Sequence, residues 1–240
     1  MKQFAIIGLG AFGQRMLEEL LDITNEIIII DRDKAIIDKY KDIAKAAYIT
    51  DSINEMAITK IIPPEIVAVI VDLGGTIVSS IMATNYLKKM GVKNIIVKAH
   101  SDEHGEVLSM VGATQVIYPD REAAKRITPI LASSLLFNFM PISANLALAE
   151  VRANENCVGK TLLDANLRKN FGLNVVAMRK IDAEEFFFIS DPAYRFTADD
   201  VLLVAGSEDR IGKFSRNVEL ERKSARGNLF RSFFPQRKKD

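Results

Sequence analysis

Gly8-Leu9-Gly10-Ala11-Phe12-Gly13 spells G-x-G-x-x-G, and an acid, Asp31, follows 18 residues after the last glycine. These residue types at this spacing suit the binding of a nucleotide through its pyrophosphate. Gly8 permits a tight turn, Gly10 lets the backbone approach the phosphates, and Gly13 allows a helix to pack closely on a sheet. Amides at the start of that helix, around Ala11 and Phe12, supply an anion seat. Asp31, with Arg32 beside it, is placed to accept hydrogen bonds from adenosine ribose hydroxyls, and its charge disfavours a 2′-phosphate. The spacing therefore points to NAD or ATP/ADP rather than NADP. The plain alternative is a tight strand-to-helix turn in which Asp31 caps the next helix.

Such a site needs a strand before the glycines and a helix after them. The apolar run from Phe4 to Gly8 reads as the strand, and Phe12, Met16, Leu17, Leu20 and Leu21 recur at helical spacing. Strand-like runs follow at 26–30, 46–49, 66–71, 94–98 and 115–118, separated by helical stretches near 33–40, 53–61, 77–90 and 102–110. The strands are rich in Val and Ile with little polar alternation, as expected when helices cover both faces. The fold class is α/β, a Rossmann-like doubly wound parallel sheet.

Open α/β sheets bind ligands at the strand ends, which adds candidates. Asp51 and Ser52 follow the third strand and could face adenine, or cap a helix. Asp72 to Gly75 follow the fourth, where Gly74 lets the backbone come near phosphates or ribose, or forms a simple turn. Lys98 and His100 leave the fifth strand, and a lysine there would neutralise phosphate charge. Asp120 and Glu122 leave the sixth, where carboxylates could hold a divalent cation bridging to a nucleotide, with Asp120 the candidate ligand. Each of these also reads as a solvated loop charge.

The rhythm then changes. Arg121 to Phe139 reads as a longer helix in which Pro129 removes a backbone donor and should kink or restart the helix, as suits a hinge. Beyond Pro141, strands at 146–151, 174–180, 185–189 and 201–205, with helical stretches at 161–168 and 208–214, read as a small α+β module. The expected organisation is a nucleotide-binding lobe at 1–120, a crossover helix at 121–140, a second domain at 141–214 and a basic tail at 215–240.

Composition narrows the classes. The 240 residues are 48% hydrophobic and carry one cysteine, Cys157, which excludes a disulfide framework and a Cys-rich zinc module. The formal charge of +1 divides into +6 from Lys213 to Asp240 and −5 over the preceding residues. An acidic body argues against nucleic acid as a partner, whereas Phe230, Phe233 and Phe234 among basic residues suit contact with a membrane surface, or a solvated tail. No apolar run approaches the roughly 18 residues of a spanning helix, and the chain enters its first strand at once, leaving no room for a signal peptide.

The segments FAIIGLGAFG, IIIIDRD, NIIVKAHSDEHGEVLSMVGATQVIYPDREAAKRI, VGKTLLDANLRKNFGLNVVAMRK and YRFTADDVLLVAGSEDRIGKF resemble the RCK (KTN/TrkA) proteins, cytosolic regulators of Trk/Ktr-type potassium uptake systems. The resemblance covers residues 1 to about 214. It implies a TrkA C-terminal domain after the Rossmann-like lobe, and a nucleotide-sensing regulator in place of an enzyme. It further implies a homodimer formed through the crossover helix, an octameric ring beneath a membrane potassium channel or transporter subunit, and a cytoplasmic location at the inner face of the membrane. Gly8, Gly10, Gly13 and Asp31 would hold NAD(H) or ATP/ADP, with Lys98 and Asp120 nearer the phosphates. ATP-responsive members carry a basic residue where this chain has Ala11, and a Glu where it has Asp120. That weakens a triphosphate with a bound cation and makes NAD(H) or a diphosphate more competitive. Related C-terminal domains bind cyclic di-AMP, for which Asn174-Val175-Val176 and Arg179-Lys180 would be the places to look, although these residues read more readily as an ordinary strand and surface edge. The competing function is a small NAD-dependent oxidoreductase, which needs an acid-base group; the two histidines, His100 and His104, also read as loop or capping residues, and no Tyr-x-x-x-Lys pairing is present.

Overall fold

The computed structural model describes residues 2–74, 76–191 and 193–216. The basic aromatic tail lies outside the described residues beyond Arg216, as does Gly75. The chain divides into two compact units, 1–120 and 121–240.

The first unit alternates strand and helix: β1 (Phe4–Ile7), α1 (Ala11–Leu21), β2 (Ile27–Asp31), α2 (Lys34–Tyr40), β3 (Ala46–Ile49), α3 (Glu55–Ile61), β4 (Ala68–Val71), α4 (Ile77–Lys89), β5 (Ile95–Lys98), α5 (Asp102–Val111) and β6 (Gln115–Ile117). All six strands are parallel, in the order β3-β2-β1-β4-β5-β6. Successive side chains point to opposite faces, and both faces here are apolar. Ala5, Ile7, Ile28, Ile30, Val69 and Val71 pack with Ile58, Leu87 and Leu108 of α3, α4 and α5. Ile6, Ile27, Ile29 and Ile70 pack on the other side with Leu17 of α1 and Ile37 and Tyr40 of α2. Burial on both faces explains why the strands lack polar alternation. Side chains set the helix starts: Asp33, Asn54 and Ser101 accept from Ala35 N, Ala57 N and His104 N respectively.

The next elements are α6 (Pro119–Ala132), β7 (Leu136–Ser143), β8 (Leu146–Arg152), α7 (Leu162–Ala165), α8 (Leu167–Phe171), β9 (Asn174–Lys180), β10 (Asp200–Gly206) and α9 (Glu208–Ser215). The second sheet is antiparallel, ordered β7-β8-β10-β9. Its core gathers Phe139, Val151, Met178, Phe196, Leu202 and Val204 with Ile211 and Phe214 of α9. Asp200 is 0% exposed within this unit. It accepts from Thr197 N at 2.7 Å, from the Tyr194 hydroxyl at 2.9 Å and from Lys180 Nζ at 2.6 Å. Hydrogen bonds from Lys180 to Asp200 and Tyr194 hold that ammonium above its ordinary pKa, and burial raises that of the Tyr194 hydroxyl.

Four local expectations change. The helix expected through Phe139 ends at Ala132, and residues 136–143 form β7. The run around Leu136 to Met140 is apolar at both periods, and pairing with β8 decides it in favour of a strand. Pro129 does not restart α6, which continues across it as one helix. The segment 185–189 is no strand but makes a single bridge, Phe187 with Met178, on the edge of β9. Asn166, at φ 42°, splits the helical stretch at 161–168 into α7 and α8.

Candidate functional site

Strand register builds the site. Ile7 lies opposite Ile30 of β2 and Val71 of β4. The next residue of each strand, Gly8, Asp31 and Asp72, therefore emerges at one level of the sheet edge. Because β2 and β4 flank β1 and the connections diverge there, this is the switch point where open α/β sheets hold ligands. Gly8 turns the chain with φ at +86°, and its amide donates to Ile30 O at 2.8 Å. Asp31 braces the turn, accepting Leu9 N on Oδ2 at 2.6 Å and Asp33 N on Oδ1 at 2.8 Å.

The lining of the resulting cavity includes Gly8, Gly10, Asp31, Arg32, Asp51, Ser52, Asp72 and Gly74. Ala11, Phe12, Gly13, Lys98 and Asp120 are outside that lining. Gly13 and Lys98 reach it through Asp72. The Gly13 amide donates to Asp72 Oδ2 at 2.8 Å, and Lys98 Nζ stands 3.6 Å from Asp72 Oδ1. Gly13 is close-packed as expected: a Cβ there would meet Gly8 O at 2.3 Å. At Gly10 the pressing neighbour is a side chain, since a Cβ would lie 2.6 Å from Asp72 Oδ2. Thr50, Thr76 and Ser79 also line the cavity and escaped the sequence reading. Their signal was position: Thr50 follows β3, Thr76 is the N-cap residue of α4, and Ser79 is in its first turn.

A family model for the TrkA-N domain matches residues 4–119, and one for the TrkA-C domain matches 146–219. The Ktr system potassium uptake protein C of Bacillus subtilis (strain 168) is 35% identical over 217 residues, 90% of this chain and 97% of that protein. The chain belongs to the TrkA-type (RCK) family of Ktr proteins. Another relative, the Ktr system potassium uptake protein A of Vibrio alginolyticus, is 27% identical over 88% of this chain and 94% of its own length. Among solved structures, the GsuK channel bound to NAD aligns with a TM-score of 0.60 at 16% identity, over 87% of this chain and 38% of that one. That likeness supports the Rossmann-like unit followed by an antiparallel C-terminal unit.

Asp31 stands at the cavity with part of its surface open, where ribose hydroxyls can reach it. Asp120 is exposed at the start of α6, and among the described residues no three His, Cys, Asp or Glu side chains gather as a metal site. The cation expected at Asp120 therefore finds no ligand set within the described residues of the chain. Cys157 is buried, and burial raises its thiol pKa, which suits a structural role.

Neither histidine lines the cavity. His104 is buried, its Nε2 lies 2.8 Å from Ser80 Oγ, and its Nδ1 accepts the His100 amide at 3.3 Å. Burial, and secondarily the charge of His100, lower its pKa below the ordinary value. Below about pH 6.5 the unfolded chain thus takes up a proton that the native His104 refuses, so its contribution to stability declines as pH falls. Denaturant unfolding of wild type and His104→Asn across about pH 5–7 checks this. The variant is expected to show the shallower loss, and equal slopes would assign the acid sensitivity elsewhere.

Proposed function

We propose that the chain is a non-enzymatic, nucleotide-sensing regulatory subunit of a potassium uptake system. An adenine nucleotide, NAD(H) or ATP/ADP, occupies the switch-point cavity, and its binding changes the shape of a homo-oligomer attached to a membrane pore subunit. The observation that carries this reading is the in-register emergence of Gly8, Asp31 and Asp72 at the switch point. The Ktr names of the curated relatives and the NAD bound to GsuK support it.

The subunits pair through α6, and the pairs close into an octameric ring on the cytoplasmic face of the membrane. No helix among the described residues is long and apolar enough to cross a membrane, so the pore belongs to the partner in this reading. Regulation requires ligands with different affinities for two ring shapes, because equal affinity shifts nothing.

A thermal-shift panel with NAD, NADH, ADP and ATP tests the reading, with light scattering to give the mass of the assembly. A ligand at a hundred times its Kd stabilises by about 2.7 kcal/mol, which appears as a rise of several degrees in Tm. The four ligands are expected to shift wild type unequally. Asp31→Ala, compared with its own ligand-free Tm, is expected to lose most of the shift. No shift of wild type by any of the four would remove the nucleotide reading.

A further inference from the structure

Asp72 places a buried acid in the wall of a cavity read as an anion site. Its side chain is 1% exposed and that of Lys98 17%. Oδ2 holds the Gly13 amide, while Oδ1 is buried without a hydrogen-bond partner, facing Lys98 Nζ across 3.6 Å. The carboxylate also presses on Gly10, where a Cβ would lie 2.6 Å from Oδ2.

This arrangement affects a bound phosphate in two ways. The first amides of α1 have no partner within the helix, and one of them, Gly13 N, is spent on Asp72, so the anion seat is a donor poorer. A negative charge is also fixed against the glycine loop, where burial leaves it weakly screened. Lys98 offsets that charge through space. The cavity therefore tolerates a modest phosphate charge and penalises a larger one.

We infer that the Asp72–Lys98 pair selects the ligand by charge, favouring a pyrophosphate diester such as NAD(H) over a nucleoside triphosphate. The inference rests on the cavity being a nucleotide site. Each phosphorus of a pyrophosphate diester carries a single charge, whereas a triphosphate brings the additional charge of its terminal phosphoryl group towards the same carboxylate. Removing the negative member of the pair relieves that penalty and frees Lys98 to attract phosphate. Removing the positive member has the reverse effect, so two neighbouring substitutions must act with opposite sign.

Isothermal titration of the full chain with NAD and with ATP tests this, in buffer containing a chelator so that no divalent cation masks phosphate charge. Wild type is expected to bind NAD more tightly than ATP. Asp72→Asn keeps the side-chain size and an acceptor for Gly13 N, and is expected to move the preference towards ATP by about tenfold. Lys98→Met is expected to move it further towards NAD, and this variant carries the test if Asp72→Asn does not fold. A wild type that prefers ATP, an unchanged ratio in either folded variant, or shifts of both in one direction would overturn charge selection and leave the nucleotide site standing. A wild type that binds neither ligand would overturn both.

Discussion

Gly8→Ala is expected to destabilise the first unit by about 2–5 kcal/mol and to abolish nucleotide binding. Two costs add. The turn holds Gly8 at φ +86°, where a side chain costs roughly 1–2 kcal/mol. The new Cβ would also lie 2.2 Å from Asp72 O, a backbone atom that β1–β4 pairing holds in place. Relief requires parting β1 from β4 at the level from which Gly8 and Asp72 emerge, so the damage falls on the cavity itself. Overpacking of this kind costs about 1–3 kcal/mol. Gly74→Ala is the control, because a Cβ there meets nothing within 4 Å. Hydrogen exchange followed on peptides from each unit separates the effects: faster exchange is expected over β1, β2 and β4, with the second unit unchanged. A Gly8→Ala protein as stable as Gly74→Ala would contradict the account of the turn.

Asp200→Ala is expected to cost the second unit about 2–4 kcal/mol. The fully buried carboxylate is the acceptor for the Thr197 amide and the Tyr194 hydroxyl, and its loss removes the charged partner of both part-buried hydrogen bonds. A hydrogen bond to a charged group contributes about 1.5–3 kcal/mol, and water reaching the exposed Thr197 and the half-buried Tyr194 offsets part of the loss. Lys180 adds less to the loss, since its side chain is 46% exposed and its ammonium can return to water. Asp200→Asn keeps an acceptor oxygen and is expected to fall between wild type and Asp200→Ala. Urea unfolding gives the loss directly, and nucleotide shifts of the first unit should persist in both variants. An Asp200→Ala protein unfolding at the wild-type urea concentration would show that the cluster contributes nothing net.

The α/β fold of the first unit was legible because its signals are local. Apolar runs of strand length, helical spacing between them and glycines at the first turn each act within a few residues, and together they specify a parallel sheet with helices on both faces. The candidate site was legible to the same depth. Gly8, Gly10, Asp31, Arg32, Asp51, Ser52, Asp72 and Gly74 line one cavity because all stand at or near the carboxyl ends of strands, in the glycine loop or in the turns leading to the next helix. Sequence position cannot say which of those ends point inward, so Lys98 and Asp120 stood as candidates that also read as solvated loop charges until the sheet was assembled.

Only the tertiary structure decided the features that depend on residues far apart in the chain. The apolar run around Leu136 to Met140 fits a helix or a strand by itself, and the β8 hairpin makes it a strand. Asp200 looks like one acid among many until Thr197, Tyr194 and Lys180 close around it. The strongest case is Asp72, which accepts a hydrogen bond from Gly13, 59 residues away, and pairs with Lys98 on the neighbouring strand. The sequence by itself determined that a glycine loop and an acid would meet at a sheet edge, since propensity and spacing act locally. That a second, buried acid stands against that loop follows from strand order and register, which exist only once β1, β4 and β5 lie side by side.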